Sequence, residues 1–115
     1  MSNVGDALIV GTKWNKGMVV QRKGKNGSIS MKRLRNWYLV NEYLRDNDTF
    51  TWGYIGTGPT CTAYSILYEL FGEAVALERS QEFMERYVSK VPEDTEFMVT
   101  GGEICKMLNL RIART

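Results

Sequence analysis

The stretch GMVVQRKGKNGSISMKRL, residues 17–34, is where the fold of this chain is decided. Its first part, GMVVQRK at 17–23, is Val-rich and reads as a strand. Its last part, SISMKRL at 28–34, alternates. Ile29, Met31 and, less cleanly, Leu34 fall on one side; Ser28, Ser30 and Lys32 fall on the other. Between the two runs sits Lys25-Asn26-Gly27. Asn and Gly both tolerate positive φ, and Asn-Gly is the favoured pair of a two-residue type I′ turn. The stretch therefore predicts a hairpin. Upstream, ALIV at 7–10 is an apolar run bounded by Gly5 and Gly11, a further strand. Trp14-Asn15-Lys16-Gly17 supplies a turn into the hairpin. The front third reads as a three-stranded antiparallel meander with a basic face.

Downstream, NWYLVNEYLRDNDTF at 36–50 fits neither the helical nor the strand period. Trp37, Tyr38, Val40, Tyr43 and Leu44 follow no clear face, and Asp46-Asn47-Asp48-Thr49 is a polar turn cluster. After residue 60 the period becomes helical. Ala63, Ile66, Leu67, Leu70 and Phe71 predict about three turns ending near Gly72, with Tyr64 and Tyr68 as an i, i+4 pair. A second helix is predicted from Glu73 to Val91, on a stripe of Ala76, Phe83, Met84, Tyr87, Val88 and Val91. Pro92 to Thr95 ends it. Phe97-Met98-Val99 is a short apolar run with strand character. Thr100-Gly101-Gly102-Glu103 has the form of a capping box, before a helix carrying Ile104, Met107 and Leu108 on one face. The expected architecture is one α+β domain over residues 1–115. An N-terminal three-stranded antiparallel meander packs on two central helices, and a short C-terminal helix follows.

The connection TWGYIGTGP, 51–59, carries the strongest local pattern. Three glycines and a proline precede a helix, where free backbone amides favour anions. Trp52, Gly53, Tyr54, Gly56, Thr57 and Gly58 are thus candidates for a ligand loop, with a nucleotide held between Trp52 and Tyr54. The spacing matches neither phosphate fingerprint. There is no Lys for a P-loop, and Gly-x-x-Gly-x-Gly is not the dinucleotide order. The competing reading is architectural: Gly56 and Gly58 supply a tight turn, Pro59 starts the helix, Thr57 or Thr60 caps it, and Trp52 and Tyr54 pack the loop onto the core.

Composition narrows the function classes. The chain has 115 residues, 43% hydrophobic, two cysteines and no histidine. Without His the usual triads and the commonest general base are missing, and no usual zinc pattern can be assembled. Cys61 and Cys105 are expected to be small buried thiols. No apolar run reaches the roughly 18–20 residues that span a bilayer. The start lacks a signal-peptide pattern, so a cytoplasmic location is expected. Net charge is +2 but lopsided. Residues 1–35 hold eight cations against Asp6 alone. Residues 36–100 hold four cations against eleven acids. The basic face is expected from Arg22, Lys23, Lys25, Lys32, Arg33 and Arg35, and an acidic face from Glu73, Glu78, Glu82 and Glu85, with Glu82 and Arg86 an i, i+4 pair.

TFTWGYIGTGPTCTAYSILYEL resembles the signature of a family of short uncharacterised proteins from phages, mobile elements and bacteria, a domain of unknown function. Members carry a WGYGGTGPAQLAL-like segment. Trp52, Gly53, Tyr54, Gly56, Thr57, Gly58, Pro59 and Ala63 match it. Ile55 stands where Gly is usual, which reduces backbone freedom there. Gln81-Glu82-Phe83-Met84-Glu85 is a looser match to a Phe-Lys-Trp-like segment, and Thr100-Gly101-Gly102-Glu103-Ile104 looks like the family's Thr-x-x-Glu-Ile helix start. The likeness runs over about residues 50–108 and implies an α+β fold and a mobile-element setting, with no activity attached.

The expectation is a non-enzymatic accessory protein that binds a host protein or protein–nucleic-acid complex, in the manner of a counter-defence inhibitor of a nuclease complex. Two readings stand beside it. One is direct nucleic-acid binding by the basic hairpin, with Trp37 or Tyr38 stacking on bases. The other is small-ligand capture by the glycine loop. No catalytic constellation, cofactor, metal or membrane partner is expected; a homodimer would help so short a chain cover apolar surface.

Overall fold

The computed structural model describes residues 4–12, 17–24, 26–37 and 50–110. A 3-10 turn, Val4–Asp6, leads into β1 (Leu8–Gly11), β2 (Met18–Lys23) and β3 (Ile29–Arg33). Then come α1 (Thr57–Phe71), α2 (Glu73–Arg86), a 3-10 turn at Val88–Lys90, β4 (Phe97–Thr100) and α3 (Gly101–Leu108). The chain is α+β, as expected. The meander is antiparallel throughout, and Phe97-Met98-Val99 does form a strand. It pairs with β1, so the sheet has four strands in the order β3-β2-β1-β4.

Register sorts every strand residue onto one of two faces, because side chains alternate with period two. One face carries Ile9, Met18, Val20, Phe97 and Val99, each at most 1% exposed. These join Ala63, Ile66 and Leu67 of α1, Ala76, Phe83 and Met84 of α2, and Ile104 and Leu108 of α3 in one core. The other face carries Leu8, Val10, Val19, Gln21, Lys23, Ile29, Met31, Arg33, Met98 and Thr100.

Leu34 decides the orientation of β3. It is fully buried, and its amide donates to Met18 O (2.8 Å), continuing the ladder. Leu34 therefore has the parity of Ser30 and Lys32, not of Ile29 and Met31. That corrects the grouping expected from the alternation. Ile29 and Met31 end up 55% and 66% exposed.

The turn also differs from expectation. A type I′ pair needs positive φ at both central residues. Here Gly27 has φ +81° and Asn26 does not share that region. Gly24 N–H donates to Ser28 O (2.7 Å), and Gly27 N–H to Gly24 O (3.2 Å). These bonds close a three-residue loop ending in a left-handed glycine. The Asn26 side-chain oxygen Oδ1 accepts from the Ser28 hydroxyl (2.9 Å) instead. Lys25 lies outside the described residues, as do the expected turn residues 14–16, the polar cluster 46–49, and Tyr38, Val40, Tyr43 and Leu44.

Helix α1 begins earlier than its apolar stripe suggested. Thr57, Gly58 and Pro59 are its first turn, and the Thr60 amide closes onto Gly56 O (3.1 Å). Pro59 sits where its missing N–H costs nothing. Gly72 ends α1 and starts α2, with φ +96°. Helix α2 stops at Arg86 rather than running to Val91. Tyr87 leaves helical geometry (φ −132°), and the next carbonyl, Val88 O, turns to accept from Gly53 N–H (3.0 Å). A tertiary donor thus serves a carbonyl whose helical partner would be Pro92, which has no N–H. Helix α3 has both halves of the capping box. Glu103 N–H donates to Thr100 Oγ1 and Thr100 N–H to Glu103 Oε1, each 3.1 Å. Asn109 closes it in the left-handed region.

Candidate functional site

The glycine segment is a clasp. Trp52 is 3% exposed, tilted onto Phe97 at 5.5 Å, and its indole N–H donates to both Pro92 O (3.1 Å) and Thr95 O (3.2 Å). Gly53 lies against the backbone of residues 91–93. Thr51 N–H donates to Thr62 Oγ1 (3.2 Å), whose hydroxyl donates back to Thr51 O (2.7 Å). Gly58 leaves room for Thr51 and the Tyr54 hydroxyl. Neither Thr57 nor Thr60 caps the helix: Gly56 is the N-cap, without a side-chain bond, and the Thr60 hydroxyl donates to Gly56 O (2.8 Å). Tyr54 does not enter the core. It is 42% exposed, with its hydroxyl 3.1 Å from Thr51 Oγ1. The indole of Trp52 is therefore committed inside the fold, away from any base or ring in solvent.

The basic residues do not share a face. Arg22 and Lys32 point to the helical side and both pair with Glu69 of α1 at 3.6 Å. Arg22 also donates to Glu69 O (3.3 Å). Lys23 and Arg33 lie on the opposite, open face and have no ion-pair partner among the described residues. Arg35 stands over the Trp37 ring at 5.8 Å. Trp37 in turn stacks on Tyr68 at 4.6 Å, and its backbone N–H donates to Ser65 Oγ (3.0 Å).

The acidic residues divide as well. Glu73, Glu78 and Glu85 are exposed on α2. Glu82 is bound twice, to Arg79 (2.7 Å) and to Arg86 (2.9 Å). Those arginines also donate to the last carbonyls of α3, Arg79 to Leu108 O (2.7 Å) and Arg86 to Met107 O (2.6 Å). Cations at a helix C-terminus satisfy orphan carbonyls and oppose the dipole. The hydrogen bonds from Arg79 and Arg86 hold the Glu82 carboxyl below its ordinary range. A depressed folded-state pKa stabilises the fold in full above the unfolded value of about 4.3. That contribution is lost as pH falls through the folded value. The stability gap between wild type and Glu82→Gln should thus be widest near neutrality and close on acidification. Urea melts across pH test this; a gap independent of pH would refute it.

Burial pushes the Cys61 and Cys105 thiols up, so neither is an activated thiolate. Both are free and buried, as expected. Burial, then the Glu103 charge, raises the Tyr87 phenol, which stays neutral and donates to Met98 O (2.6 Å). Among the described residues no group of three or more Cys, Asp or Glu is placed to hold a metal. No described helix is long and apolar enough to cross a membrane.

What remains open is the outer sheet face. Two rows cross it: Met98–Val10–Val19–Arg33 and Thr100–Leu8–Gln21–Met31, with Ile29 beside Lys23 beyond them. Met98 is 53% exposed, and Leu8, Val10 and Val19 are half-buried. Leu8, Val10, Val19 and Met98 were not among the residues singled out from sequence. A signal was there: Leu8-Ile9-Val10 and Met18-Val19-Val20 are apolar without alternation, which places apolar side chains on both faces.

A comparison with protein-family models matches residues 9–110 to a family of unknown function, DUF6166. The chain belongs to this family. No curated protein and no solved structure matches it. The match to DUF6166 reaches well beyond the 50–108 resemblance, taking in β1, β2 and β3 as well as the clasp. The open face and the clasp thus both lie largely inside the DUF6166 region.

Proposed function

We propose that this chain is a non-enzymatic binding protein that engages a partner protein through the open face of its sheet. The observation that carries this reading is the pair of cross-strand rows. Met98 is exposed there beside half-buried Val10, Val19 and Leu8, and Ile29 and Met31 are exposed along β3, with Gln21, Lys23 and Arg33 among them. Exposed apolar surface with a polar rim is the usual anatomy of a protein interface. A host-directed, counter-defence role in a phage or mobile element, such as inhibition of a nuclease complex, is the specific form of this proposal. Its support is the small size of the chain and the separation of a cationic sheet edge from the exposed acids of α2.

Direct nucleic-acid binding is the weaker reading. The described cations are split between two faces, and no described strand position on the open face is aromatic, so no described strand residue there offers a ring to a base. Nucleotide capture is weaker still, since Trp52 is buried under Phe97.

The test is an affinity pull-down from native-host lysate, with nuclease, using wild type and the double variant I29D/M31D. Both positions are exposed, so the variant should fold with a melting temperature close to wild type. A protein retained by wild type and lost by the variant is the expected result. Retention by both removes the sheet face from the reading, and loss from wild type on nuclease treatment replaces it with nucleic-acid binding.

A further inference from the structure

We infer that the partner presents an acidic, extended segment that adds to the sheet as a fifth strand along β3. This rests on the reading that the sheet surface is a protein-binding surface, and it names the chemistry of the partner. The hydrogen-bond pattern of the hairpin supplies the first step. Gly24 pairs with Ser28, and Leu34 N–H with Met18 O. Bonded and non-bonded pairs alternate in an antiparallel ladder. Ser30 with Arg22 and Lys32 with Val20 are therefore the bonded pairs of the register. The N–H and C=O groups of Ile29, Met31 and Arg33 then point away from β2, along the side of β3 that no described strand pairs with. All five β3 residues are exposed. A strand with three consecutive open ladder positions is a template for another chain.

Charge selects the chain that fits. Residues 18–37 carry Arg22, Lys23, Lys32, Arg33 and Arg35 among those described, and no acid. Only Glu69 pairs with any of them among the described residues. A second copy would bring the same cations onto the same edge. An acidic strand would neutralise them. Opposite Lys32 and Arg33 it would place carboxylates; opposite Ile29 and Met31 it would extend the apolar rows of the open face. Its pattern is then aliphatic at the two positions facing Ile29 and Met31 and acidic at the adjacent pair facing Lys32 and Arg33.

The experiment pans a random dodecamer peptide library against the full chain. The enriched peptides are then synthesised and added to isotope-labelled protein for amide hydrogen exchange. Expected are net-negative peptides that pair an aliphatic stretch with adjacent acids, slow exchange at Ile29, Met31 and Arg33 by about tenfold or more and bind less tightly as salt rises. Met31→Pro removes only an outward N–H, which an edge strand tolerates. It should leave the melting transition in place and abolish the protection, whereas Met31→Thr keeps it. Charge reversal by Arg33→Glu should weaken binding without touching the ladder. Basic or uncharged enriched peptides, protection elsewhere, or no enrichment would overturn the inference. So would slowed exchange that rises with protein concentration alone, which means a second copy, or protection by single-stranded DNA in place of the peptide. If the peptide arm fails while I29D/M31D still loses its lysate partner, strand addition falls and the sheet-face reading stands.

Discussion

Trp52→Ala should cost about 3–5 kcal/mol of folding stability, the usual range for truncating a buried aromatic to Ala. That is a large share of the roughly 5–15 kcal/mol by which small domains are stable. The size follows from three losses at once. The ring leaves a cavity beside Phe97, its contact at 5.5 Å disappears, and Pro92 O and Thr95 O lose a shared donor. Chemical denaturation followed by circular dichroism reads the change. Tyr54 and Ile55, on the same segment but 42% and 71% exposed, give the contrast. Their replacement by Ala should stay within about 0.5–1 kcal/mol. If Trp52→Ala costs less than about 1 kcal/mol while Tyr54→Ala is the damaging change, the segment is not a clasp.

The second large effect is expected one residue further on. Gly53 has φ +95°, and a Cβ there would stand 2.7 Å from Glu93 N and 2.9 Å from Val91 O. Positive φ alone costs a residue with a Cβ roughly 1–2 kcal/mol. The collision adds to this because its atoms are backbone, and Pro92, which accepts from Trp52, lies between the two residues struck. Gly53→Ala should therefore lose about 3 kcal/mol or more. Gly72 provides the control within the same molecule. Its φ is +96°, yet nothing stands within 4 Å of an added Cβ. With ψ 175° this glycine lies in the extended region that is essentially glycine's alone, so Gly72→Ala should show the conformational cost by itself, about 1–3 kcal/mol. Equal losses at the two positions would mean that the close approach at Gly53 does not limit the fold.

The difference between those two glycines also marks the limit of what the sequence conveys. Periodicity was enough for α1, α2 and α3, and Thr100-x-x-Glu103 announced its own helix start, because these signals are local. The meander was legible from Val-rich runs punctuated by Gly and Asn. What escaped depends on distant partners. Past the end of α2 the Val88 carbonyl, which Pro92 cannot serve, is met by Gly53, far back in the chain. The basic residues do not form one surface because strand parity turns Arg22 and Lys32 to the helical side, where Glu69 meets them. The alternation of Ile29 and Met31 suggested a buried side, whereas Leu34 sets the parity and turns both outward. The open face was hidden for the same reason: it exists only once register says which residues the core did not take.

The pairing of Leu8 with Thr100 has a consequence during synthesis. On the ribosome, β1, β2 and β3 emerge early and can form their hairpins at once. The β1 edge then waits for residues 97–100. At elongation rates of about 5–20 residues per second the wait is on the order of ten seconds. Throughout it the nascent chain exposes β1, which the finished sheet holds between β2 and β4, as an edge strand, a form prone to aggregation. A frameshift or early stop between the codons for α2 and β4 would make that state permanent. Such a product would carry every residue of the meander and most of the helical layer, yet leave cellular quality control with an apolar central strand stranded at an edge.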